Sequence, residues 1–142
     1  MVAKEIVTRI IVGGMAILGL VLVFILQHTD FLHIVSRSSF KPELHFIVNR
    51  TVRIFLNDTF MLLLLYALFA DKSIIKLALV IQAIDVLILF PLYLLFKLPA
   101  EGASEISSPL LSQFHRLIVN PTLMILLIPA IYYQKFIKRN SV

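Results

Sequence analysis

Four apolar stretches, each close to the length that spans a bilayer, occupy more than half of this 142-residue chain. They run from Ile6 to Leu26, Thr51 to Ala70, Ser73 to Phe96 and Phe114 to Tyr133. A helix rises about 1.5 Å per residue, so about 20 apolar residues cross a hydrocarbon layer of about 30 Å. Four such runs leave almost no chain for a soluble domain. The expected fold is therefore all-α: residues 1–142 as a single four-helix transmembrane domain, with any activity placed within or between the helices. A hydrophobic fraction of 60% and a mean hydropathy of +0.98 agree with that class.

Composition narrows the chemistry further. The chain has no cysteine, which removes disulfides, thiolate nucleophiles and thiolate metal sites. Its net charge of +5 sits beside the apolar runs, where lysine and arginine orient a chain and meet anionic lipid, so no nucleic-acid partner is expected. The first run is longer than the core of a signal peptide and no small-residue cleavage site follows it, so it reads as a retained span. No cofactor or bound metal is expected.

Four spans place both termini on one side of the membrane. Asp71-Lys72-Ser73 is the whole link between the second and third runs, which predicts a tight hairpin. On the side of the termini lie Lys4, Arg9, Lys72, Lys76, Lys135, Lys138 and Arg139, and opposite them Arg37, Lys41, Arg50, Arg53, Lys97 and Arg116. The basic tail and basic hairpin tip favour cytoplasmic termini. The first long link, Gln27 to Arg50, alternates apolar residues (Phe31, Leu32, Ile34, Val35, Phe40, Leu44, Phe46, Ile47) with polar ones, which suits a segment lying in the interface. In the second link, Lys97 to Gln113, a helix is expected to restart with Ser108 as N-cap and Pro109 at its first position. Pro121 and Pro129 should kink the fourth span.

Ionisable residues inside the spans are the most informative positions, because each is costly unless paired or hydrated. Counting from Lys72, Asp58 lies fourteen residues back and Asp85 thirteen forward, so both sit about 20 Å above the hairpin end. With Gln134 at the same surface on the fourth span, Asn120 falls fourteen residues up, at the same level. Arg53 and Arg116 come about one turn higher. Arg50, Arg53 and Asn57 follow helical spacing, as do Gln113, Arg116 and Asn120, and Gln82 with Asp85 is an i,i+3 pair. Arg50, Arg53, Asn57, Asp58, Gln82, Asp85, Arg116 and Asn120 thus describe a polar pocket with two guanidinium groups over two carboxylates. On this reading Arg116→Leu would leave a buried carboxylate unpaired.

The same layer supports several functions. Polar side chains between membrane helices hydrogen-bond across the interface and can serve only to hold a bundle together, or can form a surface for a partner. Two carboxylates at one depth on adjacent helices could instead act as acid and base in an intramembrane enzyme. Yet Asp85 sits in Ala-Ile-Asp-Val with no glycine, and Asp58 in Leu-Asn-Asp-Thr with no preceding tyrosine. A small four-span transporter would want a carboxylate in the first span, where Ile6 to Leu26 has none. His28, His33, His45 and His115 all fall in the links, but their spacing matches no compact metal motif, and interfacial histidines are the expectation. Gly13, Ala16 and Gly19 offer a small-residue face for helix packing.

Two stretches carry a family resemblance: Asn49-Arg50-Thr51-Val52-Arg53-Ile54-Phe55-Leu56-Asn57-Asp58, and Phe114-His115-Arg116-Leu117-Ile118-Val119-Asn120-Pro121 running on to Gln134. With the length and four-span layout, the chain resembles the small exosortase F system-associated membrane proteins of Flavobacteria-type bacteria. The resemblance implies a multi-pass protein of the bacterial inner membrane, a companion of the exosortase, a membrane-embedded enzyme that sorts proteins by C-terminal signals. It implies an accessory subunit rather than the enzyme, since exosortases are thought to use a cysteine. It carries no catalytic residue. The matching stretches contain Arg50, Arg53, Asn57, Asp58, Arg116 and Asn120, and membrane lipid and an exosortase-like enzyme are the expected partners.

Overall fold

A computed structural model of the protein describes residues 2–29, 41–104 and 107–140. Helix α1 (Val2–Ile25) ends in a short 3-10 turn over Leu26–His28, and α2 spans Pro42–Phe69. Helix α3 (Lys72–Ile84) continues through a π-helical turn, Asp85–Leu89, into α4 (Phe90–Glu101). Helices α5 (Pro109–Val119) and α6 (Thr122–Asn140) complete the chain, and no strand occurs among the described residues. Three helical segments are long and apolar enough to cross a membrane: Ala3–His28, Pro42–Phe69 and Lys72–Glu101. The pair α5 and α6 makes a fourth if counted as one span bent by 63°.

Helix boundaries differ from the sequence reading in ways that local chemistry explains. Helix α2 starts at Pro42, nine residues before the expected Thr51, because Lys41 is extended and proline takes the first helical position, where it needs no N–H partner. Leu44, Phe46 and Ile47 therefore belong to a helix, while Phe31, Leu32, Ile34, Val35, Arg37 and Phe40 lie outside the described residues. The third segment runs past Phe96 to Glu101; the Gly102 N–H closes the last helical bond to the Leu98 carbonyl, and the glycine's φ of 67° then turns the chain out of the helix. Helix α5 begins after Ser108 with Pro109 in its first turn, as its sequence predicts. Pro121 breaks the fourth segment, whereas Pro129 sits inside α6 without interrupting it.

Helix α2 is the hub, touching α1, α3, α5 and α6. Its first half packs Phe46 and Ile54 against Phe90, Tyr93, Ile118 and Val119 of α4 and α5. Its second half packs Met61 and Leu65 against Ala78 and Met124 of α3 and α6. Helix α1 lies on α2 through its small residues: Ala16 is fully buried, Gly13 faces Ala67, and a methyl group at Gly19 would overlap the Phe60 ring. Close backbone approach gives dispersion contacts that remain favourable where no water is displaced. The rest of α1 is an apolar outer face, with Ile10, Leu18 and Phe24 about 70% exposed. A soluble monomer rarely carries so continuous an apolar surface.

Polar side chains finish one end of the bundle. Arg9 donates from Nε to the Ala67 carbonyl (2.9 Å) and from a terminal nitrogen to the Leu68 carbonyl (2.8 Å). These carbonyls lie in the last turn of α2, which has no intrahelical donors left, and a cation suits that end of the helix dipole. Ala70 takes the left-handed conformation (φ 48°) and Asp71 caps α3 by accepting from the Ser73 N–H at 2.8 Å. Lys135 sits 5.1 Å from the Phe69 ring centroid, and Tyr132 tilts against the same ring, tying α6 to this end.

Candidate functional site

The site begins with a proline. Pro121 has no N–H and disfavours helical geometry at Asn120, whose ψ is 142°. The helix stops there and restarts at Thr122, which strands carbonyls at the end of α5. One of them is recovered across the bundle: Asn57 Nδ2 donates to the Val119 carbonyl at 2.8 Å, both residues being buried. The Asn120 N–H bonds back to the Arg116 carbonyl at 3.3 Å.

The bend leaves a cavity of about 750 Å³ between the end of α1, the first half of α2 and the α5–α6 junction. Arg50, Arg53, Asn57, Arg116 and Asn120 all line it, together with Gln27, His28 and His115. Five of the eight polar positions picked out by helical register are thus brought together. Leu20, Val23, Phe24 and Ile125 form an apolar wall that reaches the outer surface, where Phe24 is 68% and Ile125 48% exposed. Among the described lining residues there are three arginines and no carboxylate. A smaller cavity of about 330 Å³ adjoins it, sharing His28, Arg50 and Arg53 and adding His45 and Asn49. Arg50 also lies 5.2 Å from the Phe46 ring centroid.

Asp58, Gln82 and Asp85 are not among the residues lining the large cavity. Successive residues on a helix point about 100° apart, so Asn57 and Asp58 cannot serve the same side. Asp58 and Asp85 are each 1% exposed. Neither oxygen of Asp58, nor Oδ1 of Asp85, has a hydrogen-bond partner among the described residues. The expectation of two guanidinium groups paired over two carboxylates is therefore not met at Asp58, and the carboxylates do not share the arginines' cavity. Asp85 also opens the π-helical turn, where the Phe90 N–H reaches the Asp85 carbonyl.

A buried lysine is the polar group that sequence reasoning missed. Lys97 is fully buried and donates from Nζ to Glu101 Oε2 at 2.5 Å and to Ser107 Oγ at 2.8 Å. Glu101 Oε1 in turn accepts from the Ser108 N–H at 2.7 Å, so the lysine–glutamate pair holds the start of α5 against the end of α4. The i,i+4 spacing of Lys97 and Glu101 was the available signal, obscured by Pro99 between them. As for the histidines, no group of three or more candidate metal ligands occurs among the described residues, and His33 lies outside them. His115 packs its ring 5.8 Å from that of Tyr93, and its Nε2 has no hydrogen-bond partner.

Fold and site together define an all-helical protein with apolar helices suited to a bilayer and a cationic cavity near one end. No known protein family, curated protein or solved structure matches the chain.

Proposed function

We propose that this is a four-span protein of the bacterial inner membrane, acting as a non-catalytic accessory subunit of an exosortase-type protein-sorting enzyme. In this reading α5 and α6 form one broken span, the Ala70-Asp71 connection is a tight hairpin tip, and both termini are cytoplasmic. Docking is helix against helix, near the second and fourth spans. The resemblance of the Asn49–Asp58 and Phe114–Gln134 stretches supplies the partner class.

The observation that favours an accessory role over an enzyme is where the carboxylates lie. An acid–base pair must reach a substrate bond and a water. Asp58 and Asp85 are each 1% exposed and absent from the cavity lining, whose polar groups among the described residues are arginines, amides, Thr122 and the histidines His28 and His115. Arginines and amides position and bind rather than take up protons at neutral pH, and no carboxylate stands beside the two histidines among the described lining residues.

The test is the native mass of the complex recovered when the chain, tagged at its C-terminus, is extracted gently from its own membrane. A stoichiometric multi-pass exosortase in that complex is the expected result. A lone monomer or homodimer would overturn the accessory role.

A further inference from the structure

We infer that Asp58 and Asp85 share one proton inside the helix bundle, a carboxylic acid on one helix donating to a carboxylate on the next. The inference rests on the membrane-spanning reading but not on the exosortase partner. Both side chains are 1% exposed, and both oxygens of Asp58 and Oδ1 of Asp85 lack hydrogen-bond partners among the described residues. Packing sets the two residues against one another. Ile54, four residues before Asp58 on α2, belongs to the apolar cluster that holds Val86, Leu89 and Phe90. Met61, three residues after Asp58, belongs to the cluster that holds Ala78 and Ile81. Asp58 and Asp85 therefore both lie at the seam between the clusters, one on each side of the contact. The π-helical turn keeps Asp85 there, because its bond from the Phe90 N–H stacks two residues five apart on one side, and both are buried.

By helical rise Asp58 lies about 17 Å from Phe69 at the end of α2, and Asp85 about 20 Å from Lys72 at the start of α3. Both are deep in a hydrocarbon layer about 30 Å thick. An ionised carboxylate there needs a cation or several hydrogen-bond donors. The basic groups of the packed helices serve other places. Arg53 stands five residues before Asp58 and about 140° around α2, and it lines the large cavity with His115 and Arg116 of α5. Helix α1 has no titratable residue between Arg9 and His28, and α6 none between Thr122 and Ile131. Helix α3 has none between Lys76 and Asp85, and the next along the segment is Tyr93 of α4. A proton is the smallest ligand that answers the deficit. It supplies an O–H donor to the facing carboxylate in a strong, charge-assisted hydrogen bond, and it leaves the pair with one charge in place of two.

The experiment is an infrared spectrum of the full chain in neutral detergent at about pH 7, where exposed aspartates and glutamates are ionised. A protonated carboxyl group absorbs above the amide band, clear of ionised carboxylates. One such group per folded chain is expected, its band shifted by carbon-13 labelling of aspartate and lost in Asp58→Asn/Asp85→Asn. Each single variant should also shift or lose the band, since both groups hold the proton; these variants decide the matter if the double variant does not fold. No band in the folded wild type, or a band unchanged in either folded single variant, would overturn the inference. Loss of the band when sodium chloride replaces choline chloride would overturn the proton as the ligand and show a metal cation between the carboxylates. A proton held by the folded chain and not by the unfolded one stabilises at low pH, and that contribution fades as pH rises through its release. Between about pH 7 and about pH 9 the wild-type melting temperature should therefore fall more than that of the double variant, and equal falls would overturn a shared proton that secures α2 to the third segment. Because no partner enzyme is present, failure here leaves the accessory reading standing, and the reverse holds as well.

Discussion

Replacing Asn57 by alanine tests how the bundle tolerates its broken fourth segment. The amide of Asn57 donates at 2.8 Å to the carbonyl of Val119, an acceptor left over because the helix cannot continue through Asn120 and Pro121. A hydrogen bond between membrane helices contributes about 0.6 to 2 kcal/mol. Leaving a buried carbonyl without a donor adds a penalty of about 1 to 3 kcal/mol, at the low end here because Val119 borders a cavity wide enough for water. The expected loss is therefore about 1 to 3 kcal/mol, measured by dodecyl sulfate titration of the protein in mixed micelles with helical circular dichroism as the signal. A second measurement isolates the cause. Pro121→Ala allows α5 to run on, so that Val119 can take its ordinary donor four residues later. In that background Asn57→Ala should cost clearly less. An equal cost in both backgrounds, or a change within about 0.3 kcal/mol of wild type in the first, would refute the reasoning.

Two further outcomes follow from packing and burial. Gly19→Ala puts a methyl group into the Phe60 ring and should destabilise the α1–α2 contact by about 1 to 3 kcal/mol, most of it recovered when Phe60 is shortened to leucine; the same titration on the single and double variants checks this. Asp58→Asn should leave the protein as stable as wild type, or raise its stability by up to about 3 kcal/mol, because it removes a buried carboxylate whose oxygens have no partner. A destabilised Asp58→Asn with wild-type helix content would show that the carboxylate makes a contact the reasoning omits.

Arg116→Leu is the variant for which sequence and structure disagree. From register alone it should strip a buried aspartate of its partner. In the fold Arg116 is exposed at the cavity, and both oxygens of Asp58 lack partners with Arg116 present. Its effect on stability is thus expected to be small, within about 0.5 kcal/mol. Counting along one helix gives relative height, since rise per residue is nearly invariant, but the 63° bend between α5 and α6 interrupts that count. Which way each side chain faces depends on which neighbours a helix packs against, and that is not written in its own spacing.

The sequence by itself determined that the chain is helical and apolar enough for a bilayer, because run length and backbone hydrogen-bonding leave few other structures in lipid. It also placed the restart at Ser108–Pro109 and the break at Pro121, since proline acts locally through its missing N–H and fixed φ. The small-residue face of Gly13, Ala16 and Gly19 was legible for a related reason: only residues without bulk admit another backbone. Tertiary structure alone decided that the Asn57 amide reaches the Val119 carbonyl and that arginines of α2 and α5 line one cavity. These outcomes turn on contacts between segments distant in sequence. A lysine near a span end reads as a topological signal until a carboxylate one turn away and a serine of the following link enclose it. The cavity belongs to this second kind, because three arginines from two helices line one space only when those helices pack side by side next to the α5–α6 bend.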